Sequence, residues 1–141
     1  MSRVQAAFVR TAAAYLVATG ALGVAFLFEP PWTWAFRVVH VHAGILGFFL
    51  SLVMGVAFWL LPRPGGRRLP RREAWAYAAF HGGLLLRLAL EPWWRLGGPP
   101  ALHGLVIVGS VATLVGMAIF AAEAWRRATT PEALRRAREG A

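Results

Sequence analysis

The sequence predicts an all-α protein, a four-helix transmembrane bundle with both termini in the cytoplasm. Three observations predict it. The chain has 141 residues, of which 58% are hydrophobic, and its mean hydropathy is +0.55. Its apolar residues fall in long runs, and about 20 such residues cross a bilayer core of about 30 Å. Arginine and tryptophan gather at the ends of those runs, where the membrane–water boundary would lie.

The spans follow in order. The first runs about 6–28, the second 34–61, the third 73–90 and the fourth 101–125. "EPP" at 29–31, "PRPGGRRLP" at 62–70 and "EPWWRLGGPP" at 91–100 separate them, since proline and glycine are poor helix-interior residues. The first run is too long for a signal peptide, and its small residues "TAAAY" come before most of it. It is expected to be a retained helix. Residues 1–128 thus form one transmembrane domain and 129–141 a short cytoplasmic tail. In the tail, Thr130 caps and Pro131 starts a surface helix, or the segment is simply solvated.

Orientation comes from arginine. Arg63, Arg67, Arg68, Arg71 and Arg72 lie between the second and third spans. Arg126, Arg127, Arg135, Arg136 and Arg138 follow the fourth, and Arg3 and Arg10 open the chain. The other two loops carry only Arg37 and Arg95. The positive-inside rule then places both termini in the cytoplasm of a multi-pass protein of the cell inner membrane. Trp32, Trp34, Trp93 and Trp94 mark the outer boundary; Trp59, Trp75 and Trp125 mark the inner one. The formal charge of +9 is a topology signal by this reading and implies no nucleic-acid partner.

The chain has no cysteine. Disulfides, iron–sulfur clusters and covalent haem attachment through cysteine are excluded. Ionisable groups within spans are costly and mark candidate sites. Here these are His40, His42, His81 and Arg87, with His103 at the outer start of the fourth span. At 1.5 Å per residue, His40 lies about 9 Å and His42 about 12 Å below Trp34, and His81 about 13 Å below Leu90. His42 and His81 are therefore expected at matching depth. Residues two apart on a helix point about 200° apart, so His40 and His42 face different partners. Below His40, Gly44, Gly47 and Ser51 form a stripe of small residues that admits a flat cofactor or a neighbouring helix. Gly109 to Gly116 and "ATGALG" at 18–23 are expected helix-contact surfaces.

A b-type haem meets the requirements of neutral imidazoles beside an apolar slot. Its propionates would meet Arg37 and Arg87; Arg87 pairing with Glu91 or snorkelling outward is the plainer alternative. For His42 and His81 the plainer alternative is a helix-bridging hydrogen bond. For His40 it is an interfacial position, and for His103 contact with water. Glu123 is expected in a surface ion pair with Arg126 and Arg127.

"HVHAGILGFFLSLVMGVAFWLLPR" resembles the H-x-H helix of subunit I in the haem–copper oxidase superfamily, cbb-type oxidases and NnrS-like membrane proteins included. "LLLRLALEP" is similar to an arginine-bearing segment of the NnrS-like proteins. The likeness covers about sixty residues. It implies that His40 faces a ligand-binding haem and His42 a bis-histidine haem. Unlike the oxidases, the chain has four spans and no adjacent histidine pair, so oxygen reduction at a binuclear centre is not expected.

Three functions follow. The first is a haem protein for respiratory electron transfer or for binding nitric oxide or oxygen. His42 and His81 are its axial ligands; His40, alone or with His103, serves a second haem or a copper or zinc ion, and a homo-oligomer finishes the pocket. If an enzyme, it is an oxidoreductase of nitric oxide or oxygen chemistry. The second is a non-catalytic accessory subunit of a respiratory oxidase or nitric oxide reductase, with structural histidines. The third is a metal transporter, which needs polar groups along its whole path; the inner half of the spans shows none.

Overall fold

The computed structural model describes residues 1–62 and 70–129, with residues 135 and 139. Arg63, Arg67, Arg68, Thr130, Pro131, Arg136 and Arg138, and with them the expected tail helix, lie outside the described residues. Among those described, four helices and no strand occur: α1 (Arg3–Phe26), α2 (Thr33–Leu60), α3 (Pro70–Arg95) and α4 (Pro100–Ala128).

Helix α1 starts earlier than expected because Ser2 and Gln5 form a capping box. The Gln5 amide donates to Ser2 Oγ, and the Ser2 amide donates to Gln5 Oε1. Two otherwise unmet donors of the first turn are thereby satisfied. Helix α4 starts with Pro100 in its first turn, where a missing N–H costs nothing.

Helix α2 is α-helical over Thr33–His42, π-helical over Ala43–Leu50 and α-helical again over Ser51–Leu60. In the π stretch the Ser51 amide reaches back five residues to the Leu46 carbonyl. The wider turn places Ala43, Gly47 and Ser51 in one buried line. Such stretches are rare and often accompany functional positions.

Helix α3 corrects the expected boundary at Leu90. It continues through Pro92 to Arg95, losing one backbone hydrogen bond at the proline. It stops at "LGG". Gly97 has φ 93, the Gly98 amide donates to the Trp93 carbonyl and the Gly97 amide to the Trp94 carbonyl. These two bonds form a Schellman motif, which a glycine closes without Cβ strain.

The helices pack through small residues. Between α1 and α2, Thr19 lies on Gly44, Tyr15 on Gly47 and Phe8 on Gly55. Between α3 and α4, Gly83 meets Gly109 and Thr113, and Gly116 meets Phe80. Close backbone approach of this kind supplies dispersion energy where lipid offers no hydrophobic gain. Phe8, Tyr15, Met54, Phe58, Ala76, Phe80 and Leu84 fill the centre. Outside, Val17, Val24, Ile45, Phe49, Leu85, Val108, Val111 and Leu114 are exposed. A soluble monomer rarely shows so much apolar surface; a bilayer solvates it. Helices α1, α2 and α4 are each long and apolar enough to cross a membrane, as in a multi-pass membrane protein. Helix α3 is of similar length but carries Arg71, Arg72 and Glu73 at one end and Arg87, Glu91 and Arg95 at the other.

Candidate functional site

The four histidines occupy three different settings. His40 faces α1: its Nδ1–H donates to the Thr19 carbonyl at 3.1 Å. Its ring lies 5.6 Å from that of Phe26 and against Gly23. His42 turns to its own helix, where Nδ1–H donates to the Val38 carbonyl at 2.8 Å. The two neighbours thus point to different partners, as the 200° spacing requires. His103 is exposed, and its ring stacks on Trp94 at 4.3 Å and 9°.

His81 is the buried one, 3% exposed. Ser51 Oγ donates to the Phe8 carbonyl at 3.0 Å and lies 3.1 Å from His81 Nε2. The serine hydrogen is committed to Phe8, so the imidazole hydrogen sits on Nε2 and donates to Ser51. His81 Nδ1 is then a lone pair with no partner among the described residues. The rings of Tyr15, Tyr77, Phe8 and Phe80 surround it.

This placement corrects the expected depth match. His81 meets Ser51, nine residues beyond His42 and on the order of 10 Å further along α2. The reason is the continuation of α3 through Pro92. Its outer end is Arg95, which puts His81 about 21 Å down from that end. No hydrogen bond or ring contact joins any two of the histidines among the described residues. No group of three or more His, Cys, Asp or Glu residues suited to a metal ion occurs there either.

The slot beside His40 is occupied by protein. Helix α1 fills the small-residue stripe: Thr19 lies on Gly44, Tyr15 on Gly47, and the Phe8 carbonyl accepts from Ser51. An apolar pocket of about 310 Å³ near the outer end is lined by Leu22, Trp32, Phe36, Trp93 and Leu96, and no histidine reaches it. A haem held between His42 and His81 of one chain therefore does not fit this arrangement. His42 keeps one feature of a ligand: a backbone carbonyl holds its Nδ1–H, leaving Nε2 without a hydrogen-bond partner among the described residues. Metal-bound histidines are commonly oriented in this way.

Arg37 is exposed. Arg87 pairs with Glu91 at 2.8 Å, and Arg95 grips the same carboxylate at 2.9 Å. Burial alone would raise the Glu91 pKa. Hydrogen bonds from Arg87 and Arg95, with their charges, outweigh it and hold the carboxyl below its ordinary value of 4.5.

The most connected polar group lies at the opposite end; the expected pairing of Glu123 with Arg126 and Arg127 is part of it, while its burial and its links to Glu73 and Gln5 escaped sequence reasoning. Glu73 accepts from Arg127 Nη2 at 2.8 Å and from Gln5 Nε2 at 3.2 Å. Gln5 Nε2 and Arg127 Nη1 each also donate to the Phe58 carbonyl at 3.0 Å. Glu123 accepts from Arg127 Nε at 3.0 Å and from Arg126 at 2.6 Å, with Arg72 at 3.4 Å. Arg127, Glu123 and Gln5 are each 1% exposed. Glu123 is therefore no surface pair; it is one corner of a clasp that joins all four helices. One turn further in, Thr11 and Tyr77 share a hydrogen bond of 2.7 Å. These groups overturn the expectation that the inner half lacks polar residues. The missed signal was neutral: Gln5, Thr11, Tyr15 and Thr19 recur on one side of α1.

Comparison with protein-family models, curated proteins and solved structures finds no match.

Proposed function

We propose that the chain is a four-span subunit of a larger respiratory assembly, an oxidase or nitric oxide reductase, with both termini in the cytoplasm and the bundle in the cell inner membrane. In this reading α3 also spans, antiparallel to α2 and α4, between the clasp and the Arg87–Glu91–Arg95 cluster. The arginine distribution supports the orientation. The H-x-H likeness supports the respiratory setting.

The observation that carries the accessory role is what the bundle does with its own histidines. His81 bridges α3 to α2 through Ser51, and His40 bridges α2 to α1 through the Thr19 carbonyl. Both rings serve helix–helix contacts, and α1 occupies the stripe a cofactor would need. The test is isolation of a tagged chain from its native membranes in mild detergent. Co-isolation of oxidase or reductase subunits in fixed ratio supports the role; the chain running alone, or only with itself, refutes it.

A second reading is favoured by His42 alone. With Nδ1 fixed and Nε2 unpartnered, it is suited to ligate a haem whose other ligand comes from outside this chain, in a homo-oligomer or a complex. Such a haem would supply a redox-active, gas-binding iron. A Soret band that is lost in His42→Ala and kept in His81→Ala supports that reading. Loss in neither removes it.

A further inference from the structure

Helices α1 and α3 face each other in matched register. On α3, Glu73, Tyr77 and His81 recur every four residues; on α1, Thr11, Tyr15 and Thr19 do the same. Gln5 meets Glu73, Thr11 meets Tyr77, and Tyr15 stacks on His81 at 5.9 Å and 14°. The Thr19 carbonyl then meets His40. From Gln5 to Thr19 the rise is about 21 Å, most of a hydrocarbon core of about 30 Å.

Among the described residues, three buried polar atoms along this face have no hydrogen-bond partner: Tyr15 Oη, Thr19 Oγ1 and His81 Nδ1. Left dry, each costs about 1–3 kcal/mol, and native interiors hold few such groups. Unpartnered polar atoms of this kind suit bridging waters, which each need two to four polar partners. Hydroxyls, imidazole and water all both donate and accept, which is the chemistry of a proton relay inside a membrane.

We infer that the interior between α1, α2 and α3 is a proton-conducting file of hydroxyl groups, imidazole and water. It runs from the clasp at Glu73, past Tyr77, His81, Tyr15 and Thr19, to His40. At His81 the step balances with proton transfers alone. A proton arrives on Nδ1, the ring is an imidazolium, and the same Nδ1 proton passes on toward Tyr15 Oη through bridging water, while Nε2–H stays on Ser51 Oγ. Only N–H and O–H bonds form or break, and the transmembrane proton gradient or voltage supplies the drive. The assignment goes beyond the accessory role and is tested on the chain alone, so either can fail without the other.

The test is proton flux into vesicles holding the purified chain and a trapped pH-sensitive dye, driven by a potassium diffusion potential with valinomycin. Wild type conducts well above empty vesicles. His81→Phe returns the flux to the empty-vesicle level. Tyr15→Phe, which keeps its ring on Gly47 and loses only the hydroxyl, lowers the flux severalfold with helicity and melting temperature retained. His103→Ala, away from the file, conducts as wild type. Wild-type flux no greater than that of empty vesicles overturns the inference. So does flux that survives both His81→Phe and Tyr15→Phe.

Discussion

Tyr15 lies directly on Gly47. A Cβ placed at residue 47 would stand 2.6 Å from Tyr15 Cδ1, so the absent side chain of one residue is the seat of the other. Because Tyr15 also stacks on His81, this seat sets the α1–α2 spacing at the level of the buried imidazole. Gly47→Ala should therefore destabilise the bundle by about 1–3 kcal/mol, the usual cost of overpacking. Gly20→Ala is the control: a Cβ there meets nothing within 4 Å. It should be neutral or stabilising by up to about 1 kcal/mol. Thermal unfolding of both variants in the same detergent checks the contrast.

The clasp predicts a large, direction-specific effect. Arg127 is 1% exposed and satisfies Glu73 and Glu123 together. Arg127→Ala leaves the buried Glu73 carboxylate without its arginine, while Glu123 keeps Arg126 and Arg72. The expected loss is about 3–5 kcal/mol. Arg127→Lys should rescue little, because an ammonium cannot span Glu73, Glu123 and the Phe58 carbonyl as a planar guanidinium does. Recovery of full stability by lysine would show that charge alone matters there.

Ser51 is the only hydroxyl that joins α1, α2 and α3 among the described hydrogen bonds. Ser51→Ala leaves His81 Nε2–H and the Phe8 carbonyl both without their partner. A loss of about 1–3 kcal/mol is expected, and Ser51→Thr should restore part of it. Equal melting temperatures for wild type and Ser51→Ala would mean that water replaces the hydroxyl without cost.

Glu91 supplies a pH dependence. Its folded carboxyl sits below the ordinary value of 4.5, so the unfolded chain takes up this proton first as pH falls. The Arg87–Glu91–Arg95 contribution is complete above the unfolded value and disappears as pH drops through the lower folded one. The melting-temperature gap between wild type and Glu91→Gln should thus be constant near neutral pH and close at pH values below 4.5. A gap independent of pH would contradict the assignment.

Much of the architecture is legible in the residues. Apolar run length marks α1, α2 and α4. Gly109 and Gly116 mark a helix contact. What escaped has physical causes. Proline is read as a stop, yet α3 carries Pro92 within its last turns, and that displaced His81 from the level of His42. The π stretch leaves no periodic trace over Ala43–Leu50, because nearly every residue there is apolar. Gln5, Thr11 and Tyr15 carry no charge, so a search for ionisable groups in spans passes over them. Glu123 stands among arginines and reads as a surface pair until packing buries it.

The most direct test of the account is the visible absorption spectrum of the chain purified alone after expression with haem in excess. The account predicts no Soret band, because His81 is committed to Ser51 and His40 to the Thr19 carbonyl. A stoichiometric Soret band abolished by both His42→Ala and His81→Ala would contradict it, since those two rings would then meet across one haem.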